Sequence, residues 1–157
     1  MNERRYKIVK AQLEHIVPIA MDMRAEDIEE IRTISNWGPT AALTHSFNMT
    51  DPDKRFTGII DNRPVCMFGF ACPNLLLDVA VPWLLTSNAI EKHKKAFMRY
   101  SRMVMQQAQK DIPFMVNYVD AKYERAIKWL KWLGFTVGEL EQLGTDGFVR
   151  RIELRRR

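Results

Sequence analysis

Residues 114–135, FMVNYVDAKYERAIKWLKWLGF, constrain the fold of this chain more than any other stretch. Residues 114–119 are mostly aromatic, β-branched or apolar and suit a short buried strand. After a tight connection, Tyr123, Ala126, Ile127, Leu130 and Leu133 recur at helical spacing, so residues 121–133 make an amphipathic helix. Gly134 stops that helix, because glycine adopts the left-handed backbone that closes a helix without a steric cost. Phe135 then starts the next strand.

The rest of the chain supplies elements that fit around this unit. Residues 6–11 alternate and suit a first strand. A helix is expected over residues 12–23, with Pro18 in its first turns. In MRAEDIEEIRTI, Ile28, Ile31 and Ile34 form a helical stripe. Arg24, Glu26, Asp27, Glu29, Glu30 and Arg32 read either as a solvated face laced with ion pairs or as the lining of a substrate site. A break at residues 36–39 precedes a short helix over 40–48, where His45 reads as a structural or surface residue. Strands at 55–61 and 64–72 flank Asp61-Asn62-Arg63, a tight-hairpin signal. Another strand spans 78–86, and Pro82 inside it calls for a bulge or a strand edge. Ser87-Asn88, with Glu91 following, reads as the cap of a helix over 89–110. Strands at 135–143 and 148–154 surround a turn at Thr145-Asp146-Gly147 and should pair as a hairpin. Adjacent strands mixed with strand–helix–strand crossovers imply a mixed sheet with helices on both faces.

The 157 residues are expected to form one domain, residues 1–157, with no linker or repeat dividing it. Nine methionines read as adaptable core fillers or as a partner surface. The formal charge of +5 favours anionic partners, although Arg150, Arg151, Arg155, Arg156 and Arg157 concentrate part of it near the end. Cys66 and Cys72 are too few for a disulfide framework, and nothing has zinc-site spacing, so no metal is expected. The first residues, MNERRYKIVKA, lack the apolar core of a signal peptide, and no apolar run approaches the ~18 residues of a membrane span. A reducing cytoplasm is the expected compartment, with no membrane span.

The element order, together with AIKWLKWLGF, resembles the GNAT family, the Gcn5-related N-acetyltransferases. Ala126, Ile127, Lys131, Leu133, Gly134 and Phe135 match a block that ends a helix in that family. The resemblance implies an α/β (α+β) fold: a mixed, mostly antiparallel twisted sheet of six to seven strands with helices on both faces. It also implies acetyl-CoA in a V-shaped opening between the fourth and fifth strands, its pyrophosphate on backbone amides after the fourth strand. Trp83, Leu84, Thr86, Ser87, Asn88 and Asn117 would then be the cofactor-binding residues, and Lys92, Lys94 or Lys95 could assist. Two departures stand out. Residues 84–90, LLTSNAI, contain none of the glycines of the family's phosphate loop, and Leu130 occupies the place of the tyrosine that protonates the leaving thiolate. Asp78 and Asp120 are the candidate catalytic carboxylates, and both also read as turn or capping residues.

A group of GNAT-like proteins of tailed phages shares both departures. That group includes the internal virion protein A of short-tailed phages. The chain is similar to it in Trp83, Thr86, Ser87, Lys94, Lys95, Phe97, Met105, Asn117, Tyr118, Val119, Ile127, Leu130, Lys131 and Gly134. This resemblance implies a phage protein made in the host cytoplasm, associated with the virion, and acting in assembly or genome delivery by contact with phage or host proteins. Trp129 and Trp132 are the candidate contact residues, since tryptophan commonly anchors an interface. An active acetyl-CoA-dependent N-acetyltransferase acting on a host protein or small amine is the alternative. Nucleic-acid binding through Lys94, Lys95, Arg99, Tyr100 and Arg102 rests on charge alone.

Overall fold

A computed structural model describes residues 5–74, 76, 78–145 and 147–156. The chain runs β1 (Tyr6–Lys10), α1 (Ile16–Met21), α2 (Ala25–Ser35), α3 (Pro39–Met49), β2 (Arg55–Ile60), β3 (Arg63–Asn74), β4 (Val79–Thr86), α4 (Lys94–Ala108), β5 (Phe114–Asp120), α5 (Glu124–Leu133), β6 (Thr136–Leu143) and β7 (Gly147–Arg155). Short 3-10 turns at Leu13–His15, Pro52–Lys54 and Asn88–Lys92 join some of them. The seven strands form one sheet in the order β1-β2-β3-β4-β5-β7-β6. Every neighbouring pair is antiparallel except β4–β5. Helices lie on both faces: Ile19, Leu43 and Phe47 pack on Met67 and Leu85, while Met105 and Leu130 pack on Met115 and Ile152. This is the mixed, mostly antiparallel sheet expected above.

The parallel β4–β5 ladder is short. It pairs Val79 with Phe114 and Ala80 with Met115, and then the strands part. Pro82 accounts for part of this. Its carbonyl accepts a bond from Asn117 Nδ2 at 2.6 Å, so it faces β5. In a strand a residue's N–H and C=O point to the same side, so the donor that proline lacks also faces β5 and the ladder cannot continue there. The two strands therefore diverge into a V that opens toward Thr86 and Asp120.

Two expected helices are broken in the structure. Residues 12–23 form a 3-10 turn and then α1, which ends at Met21, with Pro18 in its first turn where a missing N–H costs no helical bond. Residues 89–110 divide at His93 (φ −131°, ψ 39°) into the 3-10 turn Asn88–Lys92 and α4. The expected cap at Ser87-Asn88 does not form. Ser87 makes no side-chain cap bond, and Asn88 Nδ2 instead donates to Asp22 Oδ1 at 3.1 Å. Glu91 turns away to Arg24, Lys94 and Arg125.

The turns follow their residues more closely. Asp61 (φ 50°) and Asn62 (φ 66°) both take the left-handed conformation of a tight β2–β3 hairpin. Gly134 (φ 109°) closes α5: its N–H donates to the Lys131 carbonyl and that of Phe135 to the Leu130 carbonyl, both at 3.0 Å. This is a Schellman closure, and Leu130 and Phe135 also share a core cluster. β6 and β7 pair as expected; Asp146 of their turn lies outside the described residues.

Candidate functional site

The V leads into a cleft of ≈ 660 Å³ that runs from the face of α4 and α5 to α2. Leu84, Phe97, Asn117, Tyr123, Trp129 and Glu30 are among its walls. Leu84 lies two residues past Pro82, so by strand alternation its N–H and C=O face the V.

Helix α2 straddles the open end of this V through three side chains at i, i+3 and i+6. Asp27 Oδ2 accepts both the N–H of Thr86 at 2.7 Å and its hydroxyl at 2.9 Å. Asp27 Oδ1 takes Arg24 Nη2 at 3.0 Å, and the amide of Arg24 donates to the Thr86 carbonyl. One turn on, Glu30 Oε2 accepts the amide of Asp120 at 3.0 Å. One turn further, the Thr33 hydroxyl donates to Asp120 Oδ2 at 3.1 Å. One helix therefore ties the end of β4 to the end of β5 where the two strands no longer pair.

These carboxyls are the least solvated in the site. Asp27 is 8% exposed and Asp120 1%. Burial pushes the Glu30 carboxyl up to about 7, Asp27 and Asp120 add to that, and the Asp120 amide and Arg24 oppose it. Tyr123 carries a buried hydroxyl without a hydrogen-bond partner, and burial also raises its pKa. Over the cleft mouth, Arg125 bridges Glu26 and Glu91, and Glu91 in turn meets Arg24 and Lys94.

Of the charges on α2, Asp27 and Glu30 are therefore bonded into the fold, while Glu29 and Arg32 remain on a solvated face. The i+3 spacing of Arg24, Asp27 and Glu30 beside Ile28 and Ile31 was the available signal. Its meaning depended on where the helix would dock. Ile31 is buried and Ile28 packs on the core, but Ile34 is 47% exposed, so the apolar stripe is shorter than the spacing suggests.

The six expected cofactor residues divide into two groups. Trp83, Leu84 and Asn117 border the cleft. The indole N–H of Trp83 is held by the Thr50 hydroxyl at 2.8 Å, and Asn117 is held by Pro82 and by its neighbour's amide. Thr86, Ser87 and Asn88 lie at the end of β4, and their amides are engaged. Thr86 donates to Asp27, Ser87 to the Val65 carbonyl at 2.8 Å, and Asn88 to the Asp22 carbonyl at 2.8 Å. Ile90 donates back to Ser87. A pyrophosphate needs free amides and a positive field. Here the amides of Thr86, Ser87, Asn88 and Ile90 have internal acceptors, and the carboxyl groups of Asp22 and Asp27 stand beside them. The residues present do not fit the phosphates of acetyl-CoA.

Of the two candidate catalytic carboxylates, Asp78 is an exposed turn residue (φ 50°) at the closed end of the V. Asp120 sits at the open end, but its oxygens accept from Thr33 and from the Lys122 amide at 2.9 Å, as a turn residue would. Leu130 is buried among apolar neighbours. Trp129 donates to Ser101 Oγ at 3.2 Å and packs on Phe97, with ring centroids 5.3 Å apart, which makes it a cleft wall. Trp132 is 40% exposed on the outer surface. Cys66 is buried and its thiol is pushed up to about 12, so it is inert as a nucleophile. Among the described residues, no helix is long and apolar enough to cross a membrane.

No protein-family model matches this sequence, and no curated protein matches it. Solved structures do match it in shape. The ribosomal-protein-S18-alanine N-acetyltransferase from Escherichia coli superposes with a TM-score of 0.68 at 11% identity, over 96% of this chain and 94% of its own. Ard1 from Thermoplasma volcanium gives 0.71 at 9% identity, over 96% and 97%. A spermidine N-acetyltransferase SpeG chimera from Vibrio cholerae gives 0.70 at 10% identity, over 97% and 96%. At such identities the likeness establishes architecture: the chain has the GNAT acetyltransferase fold. The fold is shared with enzymes, and activity has to be argued from the site.

Proposed function

We propose that this chain is a phage protein with the GNAT fold that works by protein contact, in virion assembly or as an internal, genome-delivery component of the particle, without acetyl-transfer chemistry. It is made in the host cytoplasm and carried into the virion. One observation carries the reading: the amides of Thr86, Ser87 and Asn88 are bonded to Asp27, Val65 and Asp22, where the fold would otherwise receive a pyrophosphate. Buried Leu130, which offers no proton, supports it. The similarity to the phage GNAT-like group supports the virion role. A calorimetric titration with acetyl-CoA tests the proposal. No heat of binding is expected up to ~1 mM ligand, the weak limit of specific affinity. Saturable binding in the micromolar range would overturn it.

A second reading, an acetyl-CoA-dependent N-acetyltransferase, is favoured by Glu30. A carboxyl poised near neutrality in a cleft is the kind of group that takes a proton from an amine. That reading requires acetyl-CoA binding in the same titration and loss of transfer in Glu30→Gln.

A further inference from the structure

The outer face of α4 carries a second concavity, a shallow groove of ≈ 510 Å³ that Trp132 of α5 closes on one side. Lys95, Arg99, Arg102 and Gln106 follow one another along α4 at spacings of four, three and four residues, so they share one face. All four are exposed. Met98 and Met103 also line the groove, and Met103 is 54% exposed. Among the described residues lining it there is no carboxylate.

The Arg102 guanidinium lies 3.9 Å from the centre of the Trp132 ring. A guanidinium over an aromatic ring is held there by cation–π attraction, and its N–H groups form the fork that matches a carboxylate with two parallel bonds. The stacking also covers one face of the indole, which disfavours a base stacking there. Methionine and tryptophan side chains beside a row of cations, with an arginine held on the tryptophan, are the parts of a protein interface rather than of a phosphate track.

We propose that this groove docks an acidic segment of another protein, with an apolar side chain set between Met98, Met103 and Trp132 and carboxylates on Arg102, Arg99 and Lys95. Charge complementarity selects the occupant: the groove is lined by cations on a chain of formal charge +5. The inference rests on the reading of this chain as a contact protein and supplies the contact. The acetyl-CoA titration tests that reading separately, so peptide failure alongside silent acetyl-CoA removes only the groove.

The probe is a fluorescein-labelled 15-residue amphipathic peptide with glutamates flanking a leucine stripe, followed by anisotropy at low salt. Two controls are the same peptide with glutamine for each glutamate and a 15-nucleotide single-stranded DNA. The acidic peptide is expected to bind in the micromolar range, and the glutamine peptide about tenfold or more weaker. Arg102→Glu and Trp132→Ala, checked for unchanged circular dichroism and melting midpoint, are each expected to weaken the acidic peptide about tenfold. Added salt should weaken it further. No binding at ~1 mM peptide overturns the proposal. So does equal binding of the two peptides, or wild-type affinity in both variants. Tighter binding of the DNA that is lost in both variants would make the groove a nucleic-acid site, and self-association lost in both would make its occupant a second copy; either overturns the proposal.

Discussion

Glu30 keeps its proton to about pH 7 because α2 sets it in the mouth of the V, away from water and beside Asp27 and Asp120. The sign of its effect on stability follows. Below the ordinary glutamate value of 4.5 it is protonated in folded and unfolded chains alike and contributes nothing to the pH dependence. Between 4.5 and about 7 the folded chain binds the extra proton, so stability falls as pH rises; above about 7 the full penalty is present. That penalty is at most about 3 kcal/mol. Glu30→Gln, whose amide oxygen can still accept the Asp120 N–H, should therefore be more stable than the wild type at pH 8 and nearly equal to it at pH 4.5. Urea midpoints across that range measure this, and a parallel pair of curves would contradict it. Asp27 acts in the opposite direction. It takes three bonds, two from Thr86 and one from Arg24, and replacing it strips Thr86 of its acceptor and leaves the half-buried Arg24 with only the longer 3.4 Å contact to Glu91. Asp27→Ala should lose about 3 kcal/mol in the same urea experiment.

At the scale of elements, α5 and the strands around it were legible because their signals are local. The 3.6-residue recurrence of Ala126, Ile127, Leu130 and Leu133, a glycine stop and a following Phe135 give the same structure in almost any context. Gly134 is the position where that local chemistry is most exacting. At φ 109° an added Cβ would be strained, and it would also meet Leu154 Cδ1 at 3.4 Å. Gly134→Ala should destabilise by about 1–2 kcal/mol, seen as a lower thermal midpoint with the far-ultraviolet spectrum kept. Helix α2 is the contrary case. Its charges suit a solvated helix equally well, and only docking across β4 and β5 gives Asp27 and Glu30 their partners. The cap at Ser87-Asn88 was misread for the same reason. Asp22, 66 residues away, competes for Asn88, and Arg24 and Arg125 compete for Glu91. Trp129 and Trp132 both flank the apolar stripe in sequence, with Trp132 placed away from Ala126 and Leu130, and the structure sets the first on the cleft and the second toward solvent.

For the whole molecule, sheet order and the V follow from element order, and Pro82 marks where β4 and β5 separate. Solved acetyltransferases share this architecture, so architecture alone does not decide what this one does. The deciding feature is long-range: Asp27 of α2 takes the Thr86 amide, the Val65 and Asp22 carbonyls take those of Ser87 and Asn88, and α2 bridges the two strands. With those amides engaged, the cleft is intact yet the expected phosphate seat is filled by the chain itself. Nuclear magnetic resonance of ¹⁵N-labelled protein tests this most directly, by following the Thr86, Ser87 and Asn88 amides during addition of acetyl-CoA. These three signals are expected to stay in place up to ~1 mM ligand and to exchange slowly with deuterium. Fast exchange without ligand, or a saturable shift of Ser87 and Asn88 with a micromolar midpoint, would contradict it.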